Sequence, residues 1–212
     1  MPYSLPRIEN VRTFRQMSKS EGTRKIADTP TRFHVENMPV ATYIAIPETS
    51  SENRKYIPIG FLDTSVIASD STLIVPNATL YEFGGLTSQM HMAWMRTVCG
   101  RLEMRYRYSA QIVYNNFPWP DASEAQKAAI IQKAQAVLDA RALFLDSSLA
   151  DLYDLNTMPP VLTKAHATLD SAVDKLYRKA PFPDDAARVA FLFELYGKKT
   201  EGLLKTKPRE VI

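Results

Sequence analysis

The sequence predicts an α+β fold: a mixed α/β domain over residues 1–120, followed by a small all-α segment over 121–212. Three observations carry this. Between residues 41 and 76, short runs rich in β-branched and aromatic residues are bounded by proline, aspartate, asparagine or serine. At Gly100 the apolar period switches from helical spacing to two. At Pro120 the composition changes to alanine-rich, helix-periodic sequence.

Taken in order, RIENVRTFRQMSKS (7–20) spaces Ile8, Val11 and Phe14 or Arg15 as one helix face. It carries Arg7, Arg12, Arg15 and Lys19, and Gly22 is placed to end it. ATYIAIP (41–47), YIPIGFL (56–62) and STLIVP (71–76) read as strands, the loop ETSSENRK (48–55) separating the first two. Pro58 favours an edge or a bulge in the second, since proline donates nothing to a ladder. Gly84-Gly85 reads as a turn, and Thr87 or Ser88 as the cap of a helix striped by Met90, Trp94 and Val98. From Gly100 a strand is expected, with Tyr106, Tyr108, Ala110, Ile112 and Tyr114 on one face and Arg105, Arg107, Ser109 and Gln111 on the other. Asn115-Asn116 and Pro118-Trp119-Pro120 end it.

The C-terminal part reads as three helices. Asp121-x-x-Glu124 resembles a capping box opening the first, which runs to about Leu145. Pro159 and Pro160 start the second, 159–179, with Leu162, Ala165, Leu169, Ala172, Val173 and Leu176 on one face. Asp184 caps the third, with Val189, Leu192, Phe193 and Tyr196 inward and Gly197 at its end. The tail from Lys198 is expected to fray.

Net charge is +3, but its distribution is more telling. Residues 1–25 carry six basic and two acidic side chains, and 86–120 carry four basic and one acidic; 26–85 carry three and seven. Two basic segments are the footprint of a phosphate-binding protein, although such clusters are also common as plain solvated faces. Cys99 is the only cysteine, which excludes an internal disulfide and a cysteine-based metal site and fits a reducing, cytoplasmic setting. No apolar run approaches the ~20 residues that span a bilayer, so no membrane partner is expected. MPYSLPRIEN lacks the basic-then-apolar order of a signal peptide.

Catalytic chemistry is not visible. A cofactor-binding Gly-rich loop needs closely spaced glycines, and the only close pair is Gly84-Gly85. No Asp or Glu has lysine two residues on, as many metal-dependent nucleases require. An amino-methyltransferase needs an Asn/Asp/Ser-Pro-Pro-aromatic loop. NNFPWP (115–120) lacks adjacent prolines, and in NTMPPV (156–161) Asn156 stands apart from them and Val161 is not aromatic. His34, His91 and His166 are too dispersed for a local metal motif. No catalytic, cofactor or metal residue is therefore assigned.

The basic, aromatic stretch 83–120 is a candidate nucleic-acid surface. Arginine reads guanine edges, and Asn or Gln reads adenine, because their donors and acceptors match those edges in pairs. The candidates are Gln89, His91, Arg96, Arg101, Arg105, Arg107, Ser109 and Gln111, with Arg12 and Arg15 from the N-terminal helix. Core roles compete for some: a helix histidine is more often satisfied internally, and the alternating tyrosines read first as packing. A non-catalytic protein-interaction scaffold with solvated basic faces is the alternative function.

FGGLTSQMHMAWMRTVCGRLEMRYRYSAQIVYNNFPWP (83–120) closely resembles the target-recognition domain of MmeI-like (type IIL/IIG) restriction–modification enzymes, whose core is a DNA adenine-N6 methyltransferase. SSENRKYIPIGFLD (50–63) and RTFR (12–15) resemble the same domain. LADLYDLNTMPPVLTKAHATLDSAVDKLYRKAPFPDDAARVAFLFELY (149–196) resembles the family's helical C-terminal segment. The resemblance implies that 1–120 is a DNA target-recognition domain and 121–212 a helical domain that braces it. It implies double-stranded DNA and a methyltransferase core, in the same or a companion chain, as partners. S-adenosylmethionine is implied for the full-length enzyme, and no cofactor for this chain.

Overall fold

The structure, a computed structural model, describes residues 3–34, 36 and 39–204. The chain divides into two compact units, Met1–Pro39 and Val40–Ile212. The fold is α+β, as the sequence predicts.

In the first unit, α1 (Ser4–Gln16) is followed by α2 (Glu21–Lys25). The expected helix over 7–20 therefore starts earlier and stops at Gln16. Gly22 does not end it but lies within α2, because the Ser20 side chain caps a new helix by accepting from Thr23 N–H. Arg15 holds the following loop by donating to the carbonyls of Ile26, Thr29 and Arg32 at 3.1, 2.7 and 2.7 Å. The stripe of Ile8, Val11 and Phe14 is not a core face: no residue of α1 is buried.

The second unit opens with two antiparallel sheets. In the first, β1 (Tyr43–Pro47) lies between β3 (Gly60–Leu62) and β4 (Thr72–Pro76), with Ile44 opposite Phe61 and Val75. All three expected strands are present, and Pro58 precedes an edge strand. The second sheet is a ribbon in which β6 (Arg105–Arg107) lies between β2 (Thr49–Ser50) and β5 (Gly100–Leu102). Glu48 joins the sheets: its N–H donates to Ser71 O, and its carbonyl accepts from Tyr108 N–H.

The strand expected from 106 to 114 stops at Arg107. Beyond it the ladder offers only Glu48, and an unpaired buried backbone is costly, so the chain satisfies itself locally. Ala110–Tyr114 forms a π-helical turn closed by Asn115 N–H to Ala110 O at 2.8 Å. Val113 turns into the core and Ile112 out of it, the reverse of the expected alternation.

Gly84 and Gly85 are not a turn. They lie inside α3 (Leu80–Leu86), and Ser88 caps the next helix, α4 (Gln89–Val98). The glycines are there for close packing. A Cβ on Gly84 would sit 2.7 Å from Ile130 Cγ2, and one on Gly85 2.6 Å from Trp119 Cζ3.

The C-terminal helices are α5 (Glu124–Ala142), the single turn α6 (Leu149–Leu152), α7 (Pro160–Tyr177) and α8 (Asp185–Leu204). The capping box of α5 is Ser123 with Gln126, not Asp121 with Glu124. Leu162, Leu169 and Val173 bury one face of α7 as expected, and Asp184 accepts from Ala187 N–H at 2.8 Å. Gly197 sits mid-helix rather than at the end of α8. The roughly 1 kcal/mol penalty of a helical glycine is offset by tertiary contacts: Tyr196 packs on Trp94, and Lys199 donates to Trp119 O. Phe193 also touches Trp94 but stays 46% exposed. The tail beyond Leu204 lies outside the described residues.

One hydrophobic core runs through sheets and helices of this unit, from Ile44 and Ile59 through Trp94 and Val113 to Ile130, Leu169 and Leu192. A polar seam crosses it. Arg141 donates to Ile59 O at 2.7 Å and to Tyr153 Oη at 2.8 and 2.5 Å. The Tyr153 hydroxyl in turn lies 2.6 Å from His166 Nε2, within hydrogen-bond distance. His166 stacks on Tyr56, whose hydroxyl donates to Asp170 at 2.7 Å. No helix among the described residues is long and apolar enough to cross a membrane.

Candidate nucleic-acid interface

The ribbon β2–β6–β5 presents the basic side chains. Period-two geometry sends Tyr106 into the core and Arg105 and Arg107 out of it. Arg105 lies opposite Leu102, and Arg107 opposite Gly100 and Thr49, so these five positions share a face. Gly100 has no side chain to cover Arg107. Arg105 donates to Glu103 at 2.9 Å, but both groups are largely exposed, and such a pair contributes at most about 1 kcal/mol. Arg107 has no ion pair among the described residues.

The tip of this hairpin is Glu103-Met104. Glu103 has φ 56°, a left-handed conformation that costs a non-glycine residue about 1–2 kcal/mol. Met104 is exposed at the tip. Arg101 lies on the opposite face of the ribbon from Arg105 and Arg107, because it pairs with Tyr106. Its guanidinium covers the Tyr106 ring at 4.2 Å, and it donates to Met104 O at 3.3 Å, which holds the tip against the ribbon.

The remaining candidates of the second unit do not join this face. His91 is fully buried; its Nε2 is 2.9 Å from Tyr108 Oη, and Phe117 meets its ring edge-on. Burial lowers its pKa to about 3, so it is neutral at physiological pH and a core residue. Gln89 is also buried: its backbone N–H donates to Asp170 and its side-chain amide to Asp185. The His91 side chain is withdrawn from any ligand surface, and the Gln89 amide, at the wall of a cleft, is committed to Asp185. Arg96 is partly buried, donating to Asp185 at 3.1 Å and to the Lys55 carbonyl. Ser109 is half-buried, and Gln111 is exposed on the π-helical turn instead of the strand. In the first unit, Arg12 pairs with Glu9, and Arg15 is committed to its three carbonyls. Lys55 is a basic surface residue that the spacing arguments miss; the adjacent basic pair Arg54-Lys55 in the 48–55 loop is the available signal.

No group of His, Cys, Asp or Glu among the described residues could hold a metal. The Cys99 thiol is pushed up by burial, which makes it a poor nucleophile.

The family "MmeI, target recognition domain" matches residues 2–121, and "MmeI, C-terminal domain" matches residues 122–204. The chain belongs to the MmeI family. It is 38% identical over 200 residues to "DNA methyltransferase A" of Bacillus subtilis (strain 168), covering 94% of this chain and 23% of that protein. It also matches a solved structure of the type IIL restriction–modification enzyme MmeI in complex with DNA, with 51% identity and a TM-score of 0.88. That match covers 94% of this chain and 27% of the MmeI chain. This chain therefore spans about a quarter of the length of the relatives it matches.

Proposed function

We propose that this chain is the DNA-reading portion of a restriction–modification methyltransferase. Residues 1–120 serve as the target-recognition domain and 121–212 as a helical brace. The observation that carries the reading is the uncovered basic face of the ribbon, with Arg105 and Arg107 projecting from a strand whose other face is core. Two exposed guanidinium groups on a three-stranded ribbon suit a duplex groove, where phosphate contacts position and base contacts specify. A relative bearing the name DNA methyltransferase and an MmeI structure solved with DNA support it.

The division of labour follows from what the chain lacks. The sequence offers no Gly-rich loop for S-adenosylmethionine, and we assign the cofactor and methyl transfer to a methyltransferase core in the same or a companion chain. That methyltransferase core is the second partner. Arg105 and Arg107 are the foremost DNA-binding residues, with Arg101 bracing the tip and Arg96 behind it. His91 and Gln89 support the fold from within.

The test is affinity of Arg105→Ala and Arg107→Ala for duplex DNA across salt concentrations, with folding checked by thermal melting. If the arginine meets phosphate, its removal weakens binding on every sequence and lowers the salt slope by about one. If it reads guanine, its removal costs roughly 1–3 kcal/mol at one base pair only. Unchanged affinity and slope in both variants remove this face from the interface.

A further inference from the structure

From the ribbon face opposite Arg105 and Arg107, a series of contacts leads to a second basic region. Arg101 donates to the Arg96 carbonyl at 3.5 Å, and Arg96 donates to the carbonyl of Lys55. Lys55 in turn rims a cleft of about 520 Å³, whose far wall is the C-terminal end of α7 and the residues just after it, with Lys175 and Lys179. The ribbon and the C-terminal helices are thus connected by an unbroken series of interactions within one compact unit.

The charges of this cleft are unequally committed. Its three carboxylates are all occupied. Asp174 accepts from Arg188 at 2.6 Å, Asp185 accepts from Arg96, Arg188 and Gln89, and Asp170 accepts from Tyr56 and the Gln89 N–H. Its lysines are not. Lys55, Lys175 and Lys179 are exposed and form no ion pair among the described residues. Lys55 has only the Tyr56 ring, 5.3 Å from its centre. Lys175 lies in the last turn of α7 and Lys179 just beyond its end. The α7 dipole favours cations there, so these two lysines alone do not require a ligand. The combination does point to one: three free ammonium groups around one cleft, in the compact unit that carries the basic ribbon and linked to it through Arg96 and Arg101, with every local carboxylate already taken.

We propose that Lys55, Lys175 and Lys179 form a phosphate clamp, through which the C-terminal helices hold the sugar–phosphate backbone of the duplex that the ribbon reads. This rests on the DNA-reading function proposed above and extends it, through Lys175 and Lys179, to the C-terminal helices. The clamp carries no sequence information, because ammonium groups meet only phosphate oxygens. It supplies affinity and fixes the register of the helical part on the duplex.

The experiment uses the intact chain and its Lys175→Ala/Lys179→Ala and Lys55→Ala variants. Affinity is measured for several unrelated duplexes between about 50 and 200 mM salt, beside Arg105→Ala/Arg107→Ala. The double lysine variant should weaken all duplexes equally and lower the salt slope by about 1.8; wild type's advantage then narrows about 12-fold across that salt range. Lys175→Arg/Lys179→Arg should restore binding. Should the alanine pair melt early, Lys175→Gln/Lys179→Gln serves instead. Wild-type affinity and slope in the lysine variants, with the arginine variants impaired, overturn the clamp and leave the ribbon reading standing; the lysines then suit an acidic protein surface. A loss confined to one duplex also overturns it. Absence of any salt-dependent binding by the wild-type chain ends both readings.

Discussion

Replacing Asp170 by asparagine tests the polar seam between the sheets and the helices. Asp170 is buried, accepting from Tyr56 Oη and from the Gln89 backbone N–H, each at 2.7 Å. Burial raises its carboxyl pKa from an ordinary 3.8 to about 6; the hydrogen bonds from Tyr56 and Gln89 pull the other way and do not cancel it. The sign follows from linkage. Below pH 3.8 both folded and unfolded states hold the proton. Between 3.8 and about 6 the unfolded chain has lost it and the folded chain keeps it, so stability falls as pH rises. Above about pH 6 the full cost is present, about 3 kcal/mol at about 1.4 kcal/mol per pH unit. Asparagine is neutral throughout and keeps the geometry, its carbonyl accepting from Gln89 and its amide facing a Tyr56 hydroxyl that can accept. In urea unfolding from pH 4 to 7.5, the stability of Asp170→Asn relative to wild type should therefore rise by about 2 kcal/mol between pH 4 and 6.5, then level off. Parallel pH profiles for the two proteins would refute the reasoning.

Other substitutions test the packing. Gly84→Ala should destabilise by about 1–3 kcal/mol despite the better helix propensity, because its Cβ meets Ile130 Cγ2; the loss should shrink in an Ile130→Ala background, read by denaturant midpoint. Ser123→Ala should cost about 1 kcal/mol through loss of the α5 capping box, while Asp121→Ala leaves the melting temperature unchanged. Arg141→Met should cost at least about 3 kcal/mol, since the Ile59 carbonyl and Tyr153 hydroxyl lose charged donors, seen as a lowered unfolding midpoint. The chain alone, incubated with labelled S-adenosylmethionine and mixed duplex DNA, should transfer no methyl group above background.

Several elements were legible in sequence because their signals are local. The three short strands follow from β-branched runs between turn formers, α7 from its paired prolines and apolar face, and the start of α4 from the capping pair Thr87-Ser88, of which Ser88 is the cap. The outward pair Arg105 and Arg107 follows from alternation around Tyr106, which needs only a strand of three residues. The hairpin between Leu102 and Arg105 was not legible, since Glu103-Met104 carries neither glycine nor asparagine where a positive φ is required. Nor was the choice among capping residues before α5, as Asp121 and Ser123 both have a suitable partner three residues on.

By itself the sequence determined the α+β class, the strands β1, β3 and β4, the helices α4, α5, α7 and α8, and the basic character of the 83–120 stretch, all of which depend on neighbours along the chain. Only the tertiary structure decided which of those residues face a ligand. Gly84-Gly85 reads as a turn until Ile130 and Trp119 press against it, and then a helix without side chains there is the solution. His91 reads as a surface candidate until Tyr108 and Phe117 enclose it. The 110–114 segment alternates like a strand, but the ladder runs out after Glu48 and the backbone closes on itself. In each case the deciding partner lies far along the chain, and burial there outweighs the local preference of about 1 kcal/mol per residue.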